Sequence, residues 1–174
     1  MPITTRAMNA HNDSPIAYKD RLARDLKVFG VASFFFFAIG VITMFGMEWY
    51  GSLAVPSWMP PEQIIAAIWG TLFVTTAVSL IVLFDAERTA TVRLRTIVLL
   101  YLGNALLVLL WNYLFFGVHQ LALAIGASVA VGISVLVLMY LVKGSSRTAA
   151  WLLAPYVAWV GFAIAASYSV MLLN

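Results

Sequence analysis

The chain has no cysteine and little charge: among its 174 residues there are ten Lys or Arg and seven Asp or Glu. Without cysteine there is no disulfide framework, no thiolate nucleophile and no thiolate metal site. Charged residues make up 10% of the chain and hydrophobic ones 63%, whereas a soluble domain is about a quarter charged and roughly half apolar. That balance excludes an ordinary soluble domain and describes an integral membrane protein, for which a single domain suffices. Also missing is any Asp, Glu, Lys or Arg well inside a long apolar run. Charges within a membrane span mark proton relays and ion paths. Their absence argues against a coupled pump, and it leaves no acid–base pair for hydrolytic chemistry, so no catalytic residue is nominated. The two histidines, His11 and His119, fall on opposite sides of the bilayer in the topology below, so no metal site is expected.

What is present is a set of five apolar runs, at about 28–46, 64–84, 96–118, 121–142 and 149–173. Each is long enough to cross about 30 Å of hydrocarbon as a helix. The expected fold is an all-α membrane protein, a five-transmembrane-helix bundle. Positions 1–27 form a polar leader. In it Ser14 reads as a helix cap and Pro15 as the first helical residue. Leu22, Leu26 and Phe29 recur at helical spacing among Lys19, Arg21, Arg24 and Lys27, which predicts a short amphipathic juxtamembrane helix feeding the first span. The leader does not read as a cleaved signal peptide, because it is long and no small-x-small site follows the apolar run. Positions 28–174 then make up one transmembrane domain, with a tight turn at Val118-His119-Gln120 that sets the third and fourth helices antiparallel.

The cations explain the net charge of +3 without nucleic acid as a partner. Arg6, Lys19, Arg21, Arg24 and Lys27 precede the first run, Arg88, Arg93 and Arg95 separate the second from the third, and Lys143 and Arg147 separate the fourth from the fifth. Those are all ten, and five spans put the three segments on one side. The positive-inside rule assigns that side, with the N-terminus, to the cytoplasm and the C-terminus to the outside. Glu48, Glu62 and His119 remain for the other face.

Pro56-Ser57-Trp58-Met59-Pro60-Pro61 links the first two runs. Each proline removes a backbone donor and fixes φ, so this stretch is not helix interior, and it is stiff. A stiff loop suits a lid, because it has less entropy to lose on ligand binding. A membrane-interface turn marked by Pro and Trp explains the same residues.

What the spans do carry is aromatic residues. Trp69 and Phe73 lie one turn apart. Tyr101, Asn104, Val108 and Trp111 share a helix face, and Tyr156, Trp159, Phe162 and Ala163 form a stripe. Asn104 is the one amide near mid-span. Two readings stand: bundle packing with Asn104 as interhelical glue, or a flat-sided aromatic pocket with one hydrogen-bonding group, suited to a planar apolar ligand. In the fourth run Ala122, Gly126 and Ala130 repeat at four, as do Ser128 and Gly132, a pattern that serves close packing inside the bundle or a dimer seam. Leu138 to Lys143 fits the loose cholesterol-contact pattern, but an interfacial Tyr140 and a snorkelling Lys143 account for it more simply.

Taken in order, these residues resemble the TspO/MBR family of tryptophan-rich sensory and translocator proteins. The resemblance rests on Trp49-Tyr50, the Pro56-to-Pro61 loop, Trp69-Gly70-Thr71-Leu72, and Trp111 with Phe115-Phe116-Gly117. It continues through Ala149-Ala150, Leu152-Leu153, Pro155-Tyr156, Trp159 and Phe162-Ala163. It runs from about position 49 to 174 and leaves the leader uncovered. It implies a five-helix bundle, often dimeric, with a pocket beneath the first loop that binds porphyrins and, in some members, sterols or benzodiazepine-type compounds. Carried over, the ligand-binding positions are Tyr50, Pro60, Trp69, Phe73, Asn104, Trp111, Trp159 and Ala163. Trp58 closes the site, and Trp69 and Trp159 are the pair tied to porphyrin. No cofactor is required; a bound porphyrin or other tetrapyrrole is the ligand to look for. The implied location is a bacterial inner membrane, and the implied partners are the lipid bilayer, an apolar small molecule, and a homodimer or larger membrane complex.

The departures from the family pattern matter. The expected Trp after Pro60-Pro61 is replaced by Glu62-Gln63, and Ala66-Ala67 stands where a Gly-Pro precedes Trp69, so a straighter helix is expected. Asn104 stands for a Gln, Val108 for an Asn, and Ala166-Ser167-Tyr168 for Leu-Asn-Tyr. No cation follows Tyr168, so the C-terminal sterol motif is missing. The pocket is therefore less polar than the family's. An accessory subunit of a larger membrane complex, keeping the fold without the ligand chemistry, is the alternative function. Porphyrin breakdown ranks third, since only photochemistry through tryptophan could proceed without an acid–base or metal set.

Overall fold

The structure, a computed structural model, describes residues 15–87 and 92–174. The Ser14 cap, Arg6, His11 and Arg88 lie outside the described residues. Helix α1 is Pro15–Gly51, α2 is Glu62–Ala86, and α3 is Val92–Asn112, which ends in a π-helical turn, Tyr113–Gly117. Helix α4 is Leu121–Lys143, α5 is Arg147–Leu152 and α6 is Ala154–Leu173. Five stretches are long and apolar enough to cross a membrane, with α3 plus its π-turn as the third and α5 plus α6 as the fifth. The all-α five-helix expectation holds.

Three local features differ from the sequence reading. The juxtamembrane helix and the first span are one continuous helix of 37 residues. Pro15 starts it, and no later proline interrupts the hydrogen-bond ladder. The third span ends in the π-turn, where Val118 N donates to Tyr113 O at 3.0 Å and Gln120 N donates to Leu114 O at 2.8 Å. His119 then turns the chain with φ of 60°, the one positive φ at a non-glycine residue among those described. The fifth span is divided at Leu153. Pro155 has no N–H to return to the carbonyl of Trp151, so the ladder breaks there. Helix α2, in contrast, is unbroken across Ala66-Ala67.

The centre of the bundle is aliphatic: Leu83, Ile97, Val135, Leu138, Val142, Leu153 and Val170 are all but fully buried. Helix α4 packs against α3 and α6 and is the most enclosed span, whereas α1 lies at the periphery. Phe34, Phe37, Met44 and Phe45 of α1 are exposed, as befits side chains that face lipid. The small residues of α4 divide between two faces. Gly126 faces outward with open space around it, whereas a Cβ on Gly132 would stand 3.3 Å from Val160 Cγ1. Ser128 is buried.

The cationic segments meet at one end of the bundle. Arg24 Nη2 lies 2.7 Å from Asp85 Oδ1, tying the start of α1 to the end of α2. Arg93 donates to Leu141 O at 2.9 Å, and Ser145 Oγ donates to Glu87 Oε1 at 2.5 Å, joining α2, α3 and α4. At the opposite, loop end, Asn174 Oδ1 accepts from Ala54 N and Asn174 Nδ2 donates to Ala54 O, each at 3.0 Å. Among the described residues, the cations of the three segments therefore lie at one end of the bundle.

Candidate functional site

The first loop is shaped by its prolines. Met59 N donates to Pro56 O at 3.0 Å, closing a turn around Ser57-Trp58, and Pro61 stands in extended geometry ahead of α2. Beneath the loop, between α1, α2, α3, the π-turn and α6, is a cavity of about 520 Å³. That size falls in the range of ordinary ligand sites.

Its walls are aromatic. The rings of Trp69 and Trp111 stack, with centroids 5.7 Å apart and planes 29° apart. Trp159 stands nearly perpendicular to Trp69, at 6.4 Å and 88°, and stacks in turn on Phe162 at 4.8 Å. The π-turn adds Phe115 and Phe116, which Tyr50 approaches to 6.1 and 5.7 Å. This approach needs Gly46. A Cβ there would run into the backbone of Phe116, so only glycine lets α1 cross so close to the turn.

Six of the expected site residues line this loop-end cavity: Tyr50, Trp69, Phe73, Trp111, Trp159 and Ala163. Trp58 and Pro60 do not line it. Trp58 is half exposed, and its ring meets Phe162 edge-on at 5.5 Å. Met59, between them, reaches the cavity instead, because the turn points alternate side chains in different directions. Asn104 borders a second cavity of about 330 Å³ toward the basic end, which shares Trp69, Phe73 and Val108 as a partition. Its amide is engaged on both branches. Nδ2 donates to Ser134 Oγ at 2.7 Å, and Oδ1 accepts from the Tyr156 hydroxyl at 3.0 Å. That is the interhelical glue of the packing reading, joining α3, α4 and α6.

The sequence reading passed over Asn112, Thr43 and the π-turn as parts of the site. Asn112 is four residues after Val108 and so extends the same face of α3. Its Nδ2 donates to Thr43 Oγ1 at 2.8 Å, bridging α3 to α1, and both residues line the loop-end cavity. Three buried polar side-chain atoms have no partner among the described residues: Trp111 Nε1, Trp159 Nε1 and Asn112 Oδ1. All three belong to residues of this cavity and none to the basic-end one. Glu62, the one carboxylate residue among those lining it, is exposed. The arrangement can hold a flat apolar body by ring contacts and a few hydrogen bonds.

Five apolar helices, four of which line an aromatic cavity at the loop end, define a multi-pass helical membrane protein. Residues 28–173 match the TspO/MBR family, and the chain belongs to that family. It is similar to the tryptophan-rich protein TspO of Bacillus cereus, at 30% identity over 139 residues that cover 80% of this chain and 89% of that one. It is 36% identical to the translocator protein of Sus scrofa over 132 residues, 72% of this chain and 74% of the relative. The protein CrtK of Rhodobacter capsulatus is 32% identical over 132 residues, with 72% and 78% covered.

Proposed function

We propose that this chain is a binding or sensory protein whose loop-end cavity takes a porphyrin or another planar apolar ligand. The observation that supports it is the grouping of Trp69, Trp111 and Trp159 around one cavity, two stacked and the third perpendicular. Large flat rings gain from such contacts beyond the area they bury. Trp69 and Trp159 supply the ring faces, Trp111 and Phe73 the side walls, and the Trp58 loop the cover. Asn104 acts from behind the partition by fixing Tyr156 against Trp69. The positive-inside rule puts the basic end in the cytoplasm of a bacterial inner membrane, so the loop and the C-terminus face outward. Binding needs no cofactor, and a homodimer is the assembly in which we place it.

The test is a titration of the protein in lipid nanodiscs with free-base protoporphyrin IX, read by quenching of tryptophan fluorescence. Saturable binding at one site per chain, weakened about tenfold or more when Trp69 and Trp159 are both replaced by Phe, supports the proposal. Uptake equal to that of empty nanodiscs overturns it. Recovery from the native membrane of a larger assembly of fixed stoichiometry without pigment would favour an accessory-subunit role instead.

A further inference from the structure

An amide carbonyl in the membrane interior normally finds a donor, because no water stands ready to replace one. Asn112 departs from this. It is 1% exposed, its Nδ2 is fixed on Thr43, and its Oδ1 has no partner. The amide is planar, so anchoring one branch on α1 also fixes the direction of the other.

We infer that Asn112 is the residue by which the loop-end cavity selects flat apolar ligands that carry a hydrogen-bond donor. The indole N–H groups of Trp111 and Trp159, also unpartnered, take the acceptors of the same ligand. The cavity is thus matched to a planar heteroaromatic molecule with N–H and acceptor atoms in its ring system, and not to a plain hydrocarbon or a sterol with one hydroxyl. Oδ1 is covered, so the wall has to give slightly for an occupant to reach it, and the cavity lining includes three flexible methionines, Met44, Met47 and Met59, that can move aside. This inference rests on the reading of the cavity as a ligand site, and its test separates the two.

Three tricyclic probes of nearly one shape differ only at the bridging atom: carbazole has an N–H donor, dibenzofuran an ether oxygen, and fluorene a methylene. Their tritiated forms are bound to the protein in nanodiscs, and each is compared between the wild type and Asn112→Leu. Each probe's binding is referred to its own uptake by empty nanodiscs, so that lipid partition cancels between probes as well as between proteins. In the wild type carbazole should bind about fivefold to tenfold more tightly than fluorene, the worth of one net hydrogen bond. In Asn112→Leu that ratio should fall to about one, while the dibenzofuran-to-fluorene ratio, set by the indoles, persists. Equal binding of carbazole and fluorene by the wild type overturns the inference and leaves the cavity reading standing; it means that water or nothing satisfies Oδ1. A carbazole preference that survives in Asn112→Leu also overturns it. Failure of all three probes to bind overturns both. If Asn112→Leu does not fold, the wild-type ratio still decides.

Discussion

The indole of Trp49 lies flat on the imidazole of His119, with ring centroids 3.9 Å apart and planes 12° apart. The two residues are seventy apart in the chain. The contact clamps the loop end of α1 onto the turn that follows the π-helical segment, and His119 holds a positive φ to make it. His119→Ala keeps the unfavourable backbone and loses the stack, so it should destabilise the protein by about 1 kcal/mol. His119→Gly loses the same stack but relieves the backbone, and should recover part of that loss. Thermal unfolding in one detergent orders the three proteins as wild type, Gly, Ala; a glycine variant below the alanine one would contradict the assignment.

Gly46 has a sharper requirement. Since an added methyl would collide with the Phe116 backbone, Gly46→Ala must move α1 away from the π-turn. We expect a loss of about 1–3 kcal/mol, the usual range for overpacking. Gly126→Ala, where there is open space, should be neutral or slightly stabilising through helix propensity. A Gly46→Ala variant as stable as Gly126→Ala would show that helix α1 does not cross where the structure puts it.

A buried polar chain links α3, α2 and α5: Tyr101 hydroxyl to Ser79 Oγ at 2.7 Å, and Ser79 Oγ to Ala149 O at 2.7 Å. Ser79 is completely buried. Ser79→Ala strands both the phenol and the carbonyl and should cost about 1–3 kcal/mol. Tyr101→Phe removes one end of the chain and should cost less, about 1 kcal/mol. The double variant should be close to Ser79→Ala alone, since the shared bond is lost only once; strict additivity would mean that the two side chains do not interact.

Asn104 gives a test of packing against ligand contact. With both amide branches committed to Ser134 and Tyr156, Asn104→Leu should lower stability by about 1–2 kcal/mol. It should leave the donor preference of the loop-end cavity in place, because that preference resides in Asn112. Loss of the carbazole-to-fluorene ratio in Asn104→Leu would move the polar contact to the deeper residue.

Asn174 ties the loop over the cavity to the end of α6. Asn174 makes a two-point contact with the Ala54 backbone and a third bond to Val170 O at 2.8 Å. Asn174→Ala should raise hydrogen exchange at Ala54 and its loop neighbours, with little change at Leu83 or Val135 in the centre. Unchanged exchange at Ala54 would rule out a restraining role.

Much of this was legible in the sequence. The scarcity of charge, the length of the apolar runs and the grouping of ten cations into three segments determined a five-span helical protein with one basic end. Each of those signals depends only on the cost of placing polar groups in hydrocarbon, which acts on every residue wherever its neighbours lie. The cavity positions Tyr50, Trp69, Phe73, Trp111, Trp159 and Ala163 were likewise legible, because helical periodicity and the family resemblance put them on inward faces.

What only the tertiary structure decided is which groups meet. Asn104 and Asn112 are both amides of α3, and the sequence singled out only the first, the one near mid-span. Ser134 and Tyr156 reach the first and satisfy it, while Thr43 reaches only half of the second. Nor did any local signal show that α3 would end in a π-turn, or that Gly46 would be the glycine pressed against it while Gly126 stands free. Hydrogen-bond satisfaction and close packing are properties of pairs of residues on different helices, and a single chain's periodicity fixes a residue's face without fixing its partner.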